Sequence, residues 1–563
     1  MNKQLTNFAG WRAGLGVLTA ALALSVGCTA PTSPAGGSNP DGTAAPKVNR
    51  LVLSLTPPPG EYNDTRRVSG WDVPAARPMY ETLIGVDRKT GKYMPELATE
   101  WKLEPNGESY RFKLQKGAQF NRGMGEFTAK DVAFTFEHFT DALPQPNAFA
   151  VWWKRTIKEV QIVNDYEVVF HFAQPDSTFI DNASNNGVPM WIMSKAGFEK
   201  DGPPGDNPAK PQVGSGPYDF GERIIGSYIR YKQDQGKHWR ATPAFPEMEY
   251  RWVKEPSTRL AALLADEAHI AGLPNDMFDS AEKAGLMVLY SSVPGTRAWG
   301  QFVCCSRTDN GEYYRNHDGP LLNAKVRQAL NVAIDRPALQ KAFFPPKSEP
   351  LYVLNMYQAW PGWDTSWERR FPELYGFNQA KARQLLAEAG YNAANPLKMN
   401  IAIRPNQLLP NQADMSEAIA ANWRAVGVDV SLLQQDIATQ DTQIRAHAWT
   451  NHMFLDASAT QQVLGWPNRA SDFFAFSAKR GGASWFDKDT NALNEKLARE
   501  MREENWGPIM KDLGELFFTR HGNIPLFYIP AVAVYNPKVV AEYELPGSLV
   551  AVWTHTEFIK AAR

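Results

Sequence analysis

Apolar and polar residues alternate along Tyr110-Arg111-Phe112-Lys113-Leu114-Gln115. A period of two predicts a strand with one wet face. Pro105-Asn106-Gly107 predicts a turn ahead of it. Gly117 and Gly123-Met124-Gly125 predict breaks behind it, and Thr128 then caps a helix given apolar bulk by Val132, Phe134, Phe136 and Phe139. Residues 158–163 and 167–172 flank Asn164-Asp165 and predict a hairpin. Residues 48–55 predict a first strand that runs into Pro57-Pro58-Pro59-Gly60. The period lengthens further on: Val326, Leu330 and Ala333-Ile334 form one helical stripe, and residues 378–391 predict a capped helix ending at Gly390. Residues 399–404 predict a strand, 415–426 a helix stopped by Gly427, and 428–433 the next strand. Strand, helix, strand in that order argues an α/β lobe.

Composition narrows the function classes. The chain has 563 residues, 43% hydrophobic and 21% charged, enough for several domains with buried cores. A formal net charge of −1 argues against a nucleic-acid partner held by phosphate neutralisation. Residues 1–28 predict a targeting segment: Lys3 and Arg12 precede a short apolar run, and Ser25-Val26-Gly27-Cys28 resembles a lipoprotein signal in which Cys28 is lipidated. Residues 29–46 are almost all Pro, Gly, Ser, Thr, Ala, Asn and Asp, and predict a flexible tether. Cys304 and Cys305 are adjacent and read as small residues on opposite sides of a strand, although a vicinal disulfide is open to them. The chain holds no G-x-S-x-G or H-E-x-x-H hydrolase motif, and no H-x-H or thiolate pair with metal spacing.

One series of residues carries a family resemblance. Pro95, Leu97-Ala98, Trp101, Gly107, Tyr110-Arg111-Phe112, Lys116-Gly117, Phe120, Gly123 and Thr128-Ala129-Lys130-Asp131-Val132 stand in the order of the signature region of extracytoplasmic solute-binding proteins of family 5. Later segments resemble the family too: Tyr80-Glu81-Thr82-Leu83 on a helix over 77–84, Gly214-Ser215-Gly216-Pro217-Tyr218 where the chain re-enters the first lobe, and residues 325–336. Arg327, Asp335 and Arg336 in the last of these read as a helix-face and capping network, and His269 as an edge or core polar residue.

The resemblance implies an α/β periplasmic-binding-protein-like fold of type II, with two large lobes and an extra subdomain on the first (cluster C). Lobe I would comprise residues 47–80, 213–296 and 530–563, the subdomain 81–212, and lobe II 297–529. It implies a non-enzymatic monomer without cofactor, lipid-anchored outside the cytoplasmic membrane (in the periplasm where an outer membrane exists). The protein would capture a small solute, a peptide first of all, and present it to ABC permease and ATPase subunits. A nickel chelate or another small molecule is the alternative ligand.

Candidate ligand residues follow from position. Arg404 comes directly after a strand, where ligands of open α/β sheets sit, and its planar fork suits a carboxylate. Dipeptide-binding members resemble one another in an Arg at this place and in a W-x-x-D-x-x-D-P run after the next strand. Here Asp456 stands near the Trp position and Ala459 near the Asp position, so that motif is absent, which argues against an ordinary dipeptide and leaves Asp456 as the candidate acid. Tyr62, Trp71 and Asp72 lie in the loop after the first strand, which reaches the ligand in the family. Trp299 and Trp466 complete the set as aromatic walls.

Overall fold

The computed structural model describes residues 48–562, apart from 59, 69–72, 142–147, 186–189, 204–210, 235–236, 304–318, 405, 407, 437–438, 441, 444–447, 460–487 and 547–552. Cys28, Trp71, Asp72, Cys304, Cys305 and Trp466 therefore lie outside the described residues.

A single large sheet runs through this part of the chain. In spatial order its main path is Asp429–Gln434, Lys398–Ile403, His452–Ala459, Met287–Val303, Asn523–Tyr535, Ile270–Ala271, Arg50–Leu55, Glu247–Trp252, Tyr228–Lys232 and Asp219–Ile224. The predicted first strand forms as Arg50–Leu55, and five of its six residues are buried. It lies parallel to both of its neighbours, Glu247–Trp252 and Ile270–Ala271. On the far side, Lys398–Ile403 runs parallel to Asp429–Gln434 and His452–Ala459. Helix Gln412–Arg424 connects the first two of these, as the strand-helix-strand pattern predicts.

Two long antiparallel strands join the halves of the sheet. Met287–Val303 and Asn523–Tyr535 pair as Tyr290 with Val532, then Pro294 with Pro530, then Thr296 with Ile529. Residues 291–295 thus oppose only 530–531, and a bulge interrupts the ladder. Neither proline has an N–H to donate. Side chains fill the gap: Ser291 Oγ accepts from Ala531 N (2.9 Å) and donates to Val293 O (2.6 Å).

A separate four-stranded sheet, Ala98–Leu103, Ser109–Leu114, Glu167–Phe172 and Ile157–Asn164, contains the alternating stretch and the predicted hairpin. Phe112, Phe170, Phe179 and Trp153 are fully buried in its core. Helix Ala129–Thr140 covers it with Val132, Phe136 and Phe139. Asp131 Oδ2 accepts from Thr128 N (2.9 Å) and from Thr128 Oγ1 (3.1 Å), closing a box at the helix start. Met501, far along the chain before the second long strand, also enters this core, and Ser177 N donates to Ala498 O (3.0 Å) beside it.

The helix expected over 77–84 is not there. The helix is Val73–Ala76, and the next element is the strand Ile84–Val86. The carbonyls of Glu81, Thr82 and Leu83 accept instead from Ile192, Leu97 and Ala98. Long-range pairing has taken the acceptors that a local helix would use. The fully buried Glu81 carboxylate anchors this segment, accepting from Arg240 Nε (2.9 Å), Ser215 Oγ (2.9 Å) and Trp239 Nε1 (2.9 Å). Arg240 also reaches Glu557 (2.8 Å), and Arg77 binds Glu96 (2.5 Å). Burial alone would push the Glu557 carboxyl up, but Arg240 and Arg77 hold it down to about 2.

Gly214 and Gly216 press against the same segment. A Cβ on Gly214 would lie 2.1 Å from the Met79 carbonyl oxygen, and one on Gly216 2.4 Å from that of Pro78. Their role is close backbone approach, which lets Gly216 N and Tyr218 N donate to Met79 O (2.9 Å) and Pro78 O (3.1 Å).

Candidate functional site

The candidate site is built on neighbouring strands. Parallel pairing of Asn400 with His452, Ile401 with Met453 and Ala402 with Phe454 brings Arg404, two residues on, level with Asp456. Asp456 in turn pairs with Trp299 on the first long strand, and Arg297 pairs with Ser458 on one side and Tyr528 on the other. Faces follow from alternation. Met453, Leu455, Ala457, Ala298 and Phe302 face the large core beneath the sheet. Phe454, Asp456, Arg297 and Trp299 therefore face the opposite side, together with Arg404.

Contacts fix each group. Arg404 Nη2 lies 3.4 Å from Asp456 Oδ1, and its guanidinium carbon is 5.0 Å from the centre of the Phe454 ring. Asp456 Oδ1 also accepts from Ala457 N (2.9 Å) and Asn406 Nδ2 (3.2 Å). Both charged side chains keep some exposure, 17% for Arg404 and 24% for Asp456. Burial pushes the Asp456 carboxyl above its ordinary value, against the opposing pull of Arg404, the Ala457 N–H and Arg297. Arg297 is buried, with its guanidinium carbon 5.6 Å from the Trp299 ring centre. Trp299 Nε1 donates to Gln301 Oε1 (3.0 Å), and its ring packs with Tyr528, Leu351 and Leu354. A cation, an anion and aromatic faces thus meet at the carboxyl end of parallel strands, an arrangement suited to gripping a polar group of a small molecule.

Of the residues expected from sequence, Arg404, Asp456 and Trp299 come together. Tyr62 does not join them in any described contact: it lies under Arg67 of its own loop, 4.5 Å from ring centre to guanidinium carbon. Arg297, Phe454 and Asn406 were not anticipated. The period of two in His452-Met453-Phe454-Leu455-Asp456-Ala457-Ser458 carries the signal for Phe454, because it puts Phe454 and Asp456 on one face. The cations of residues 325–336 are structural, as expected. Asp335 accepts from Ala338 N (3.0 Å) as a helix cap. Arg327 donates to the carbonyls of Leu321 (2.7 Å) and Arg520 (2.8 Å). Arg336 donates to those of Pro525 (2.8 Å) and Tyr375 (2.8 Å). His269 is buried, and its Nδ1 accepts from Val52 N (2.9 Å).

Residues 92–480 match the model of bacterial extracellular solute-binding proteins, family 5 middle. The chain belongs to that family. Its family 5 relatives include heme-binding protein A of Haemophilus influenzae, 24% identical over 520 residues that cover 84% of this chain and 85% of the relative. The dipeptide-binding protein of Escherichia coli is 25% identical over 412 residues, covering 69% of this chain and 72% of the relative. Among solved structures, NikA from Brucella suis in complex with Fe(III)-EDTA superposes with a TM-score of 0.75 at 20% identity, covering 91% of this chain and all of that one. The family 5 fold is thus the two-lobed type II binding-protein fold that the signature residues imply, and the family's members are binding proteins of ABC transporters. Among the described residues, no helix is long and apolar enough to cross a membrane.

Proposed function

We propose that this family 5 protein captures a peptide or a similar small solute between two hinged lobes and delivers it to ABC permease and ATPase subunits. The observation that carries the reading is the convergence of Arg404, Asp456 and Trp299 on one face of the sheet, at the carboxyl end of parallel strands. In this reading lobe I comprises residues 47–80, 213–296 and 530–563, the subdomain 81–212 and lobe II 297–529. Separate cores built around Leu53 and Tyr250, Phe112 and Phe170, and Ile401 and Leu455 support the division. The bulge at Pro294 and Pro530 supports a hinge between the lobes, since a broken ladder bends more readily than a continuous one. The protein acts as a monomer, tethered outside the cytoplasmic membrane by lipid on Cys28, and performs no chemistry on its ligand.

Native mass spectrometry of the purified protein, followed by denaturation and identification of what is released, tests the proposal. A released peptide mixture is the expected result. A heme or metal chelate would keep the capture role and change the ligand class. Chemical turnover of a bound solute would overturn the reading.

A further inference from the structure

Met501 is the one apolar residue in Arg499-Glu500-Met501-Arg502-Glu503-Glu504-Asn505, the run that joins helix Lys488–Arg499 to helix Trp506–Arg520. So charged a turn reads as solvated, yet Met501 is buried in the core of the four-stranded sheet with Phe112 and Phe170. Its flanks go elsewhere. Leu497 and Trp506 are buried in a different cluster, with Trp360, Trp367 and Met510. A helical hairpin packed in lobe II thus puts its tip into the subdomain. The tip is braced from within: Glu500 accepts from Trp506 Nε1 at its carbonyl (2.7 Å), from Arg502 N at Oε1 (2.9 Å) and from Asn505 Nδ2 at Oε2 (3.1 Å). Beside Met501, Ser177 N of the subdomain donates to Ala498 O (3.0 Å). Burial, then Asp181 and then Glu503 push the Tyr93 hydroxyl up, which sets a second residue of the tip against the subdomain.

We propose that this tip is a clasp: it holds lobe II against the subdomain through protein groups alone, so that entry of a solute waits on its release. The clasp presupposes the two-lobe hinge proposed above and goes beyond it. The subdomain is fastened to lobe I by the bond of Arg240 to Glu81 and by the bonds of Gly216 N and Tyr218 N to Met79 O and Pro78 O. The hairpin is fastened to lobe II by the Trp367 and Met510 cluster and by Glu515, which accepts from Trp367 Nε1 (2.8 Å) and Arg370 Nη2 (2.9 Å). A rotation at residues 291–295 and 530–531 that parts the lobes therefore has to draw Met501 out of the sheet core. Met501, Ser177 and Ala498 are distinct from Arg404, Asp456 and Trp299, so the hold does not depend on what that site grips. The cost falls on capture: a solute that enters only the released form binds more weakly by the fraction of protein in that form.

The test compares the purified protein with its Met501→Ala and Met501→Leu variants by small-angle X-ray scattering and by hydrogen exchange read through mass spectrometry. Met501→Ala is expected to raise the radius of gyration and to speed exchange of the peptide holding Ser177 about thirtyfold, the scale of truncating a buried methionine. The strands Ser109–Leu114 and Glu167–Phe172 should exchange as before. Met501→Leu keeps the apolar bulk and should match the unaltered protein in both measurements. Faster exchange at Ser177 with an unchanged radius would mean that the tip comes free without the lobes parting, which overturns the clasp and leaves the hinge. Exchange that rises equally in the two strands would make Met501 a core residue only and overturn it. So would a Met501→Leu variant that expands, or no change in any measurement. An expanded protein whose long strands, Met287–Val303 and Asn523–Tyr535, exchange faster along their whole length would be unfolding rather than bending, and would count against the hinge as well.

Discussion

At the scale of single residues, the tightest constraint is the approach of the 214–218 element to the segment at Met79. Gly216→Ala would force a methyl group to within 2.4 Å of the Pro78 carbonyl oxygen, and backbone cannot move aside as a flexible side chain can. The expected outcome is a loss of about 2–4 kcal/mol, read as a lower urea midpoint with little change in slope. Sequence made some residues legible and hid others for physical reasons. Arg327 and Arg336 were readable as structural cations because they sit at fixed offsets on helices whose ends need them. Arg404 was readable because a residue just after a strand has a defined place. Arg297 was not: its position in an apolar-looking strand gives no hint that it faces the candidate site, and its neighbours on the adjacent strands lie more than 150 residues away.

Among elements, the segment around Met501 connects stretches that no pattern along the chain links. Met501 is 8% exposed and packs in the core of the four-stranded sheet, although it belongs to the run that leads into the second long strand. Met501→Ala is expected to cost about 2–3 kcal/mol and to raise protease cleavage near residues 497–505. Unchanged cleavage and midpoint would show that the contact is incidental. The strands and helices with clear period and punctuation formed where expected: the hairpin at 157–172, the capped helix at 129–140 and the alternating segments at 398–434. Residues 77–84 failed as a helix because their hydrogen-bond partners, at Leu97, Ala98 and Ile192, lie outside any local window.

For the whole molecule, the buried histidines predict a one-sided response to pH. Burial lowers His138, His452 and His555 to about 4 and His521 to about 3. A histidine whose folded pKa lies below its unfolded value contributes stability that is full above about pH 6.5 and is lost as pH falls toward 4. Glu557, at about 2 against an ordinary 4.5, adds a further loss below about pH 4.5. Urea midpoints should therefore hold steady near neutrality and fall progressively from about pH 6.5 to pH 4. A flat profile across that range would contradict the buried, neutral state of these rings. The two-lobed plan itself came from the family resemblance. Periodicity alone reaches only as far as α/β lobes, because it cannot say which distant strands become neighbours.

The order of strands across the large sheet also governs when the protein can fold. The first strand, finished at Leu55, waits for partners at Glu247–Trp252 and Ile270–Ala271, and the neighbouring place is taken only by Asn523–Tyr535. Arg240 waits longer still, for Glu557 near the end of the chain. A nascent chain would thus leave the ribosome with its first sheet unfinished until Asn523–Tyr535 has been made. Such late, non-local pairing slows folding and prolongs the time spent with strand edges exposed. Under the proposed location outside the cytoplasmic membrane, such a delay would keep the chain thin enough to pass until it has crossed.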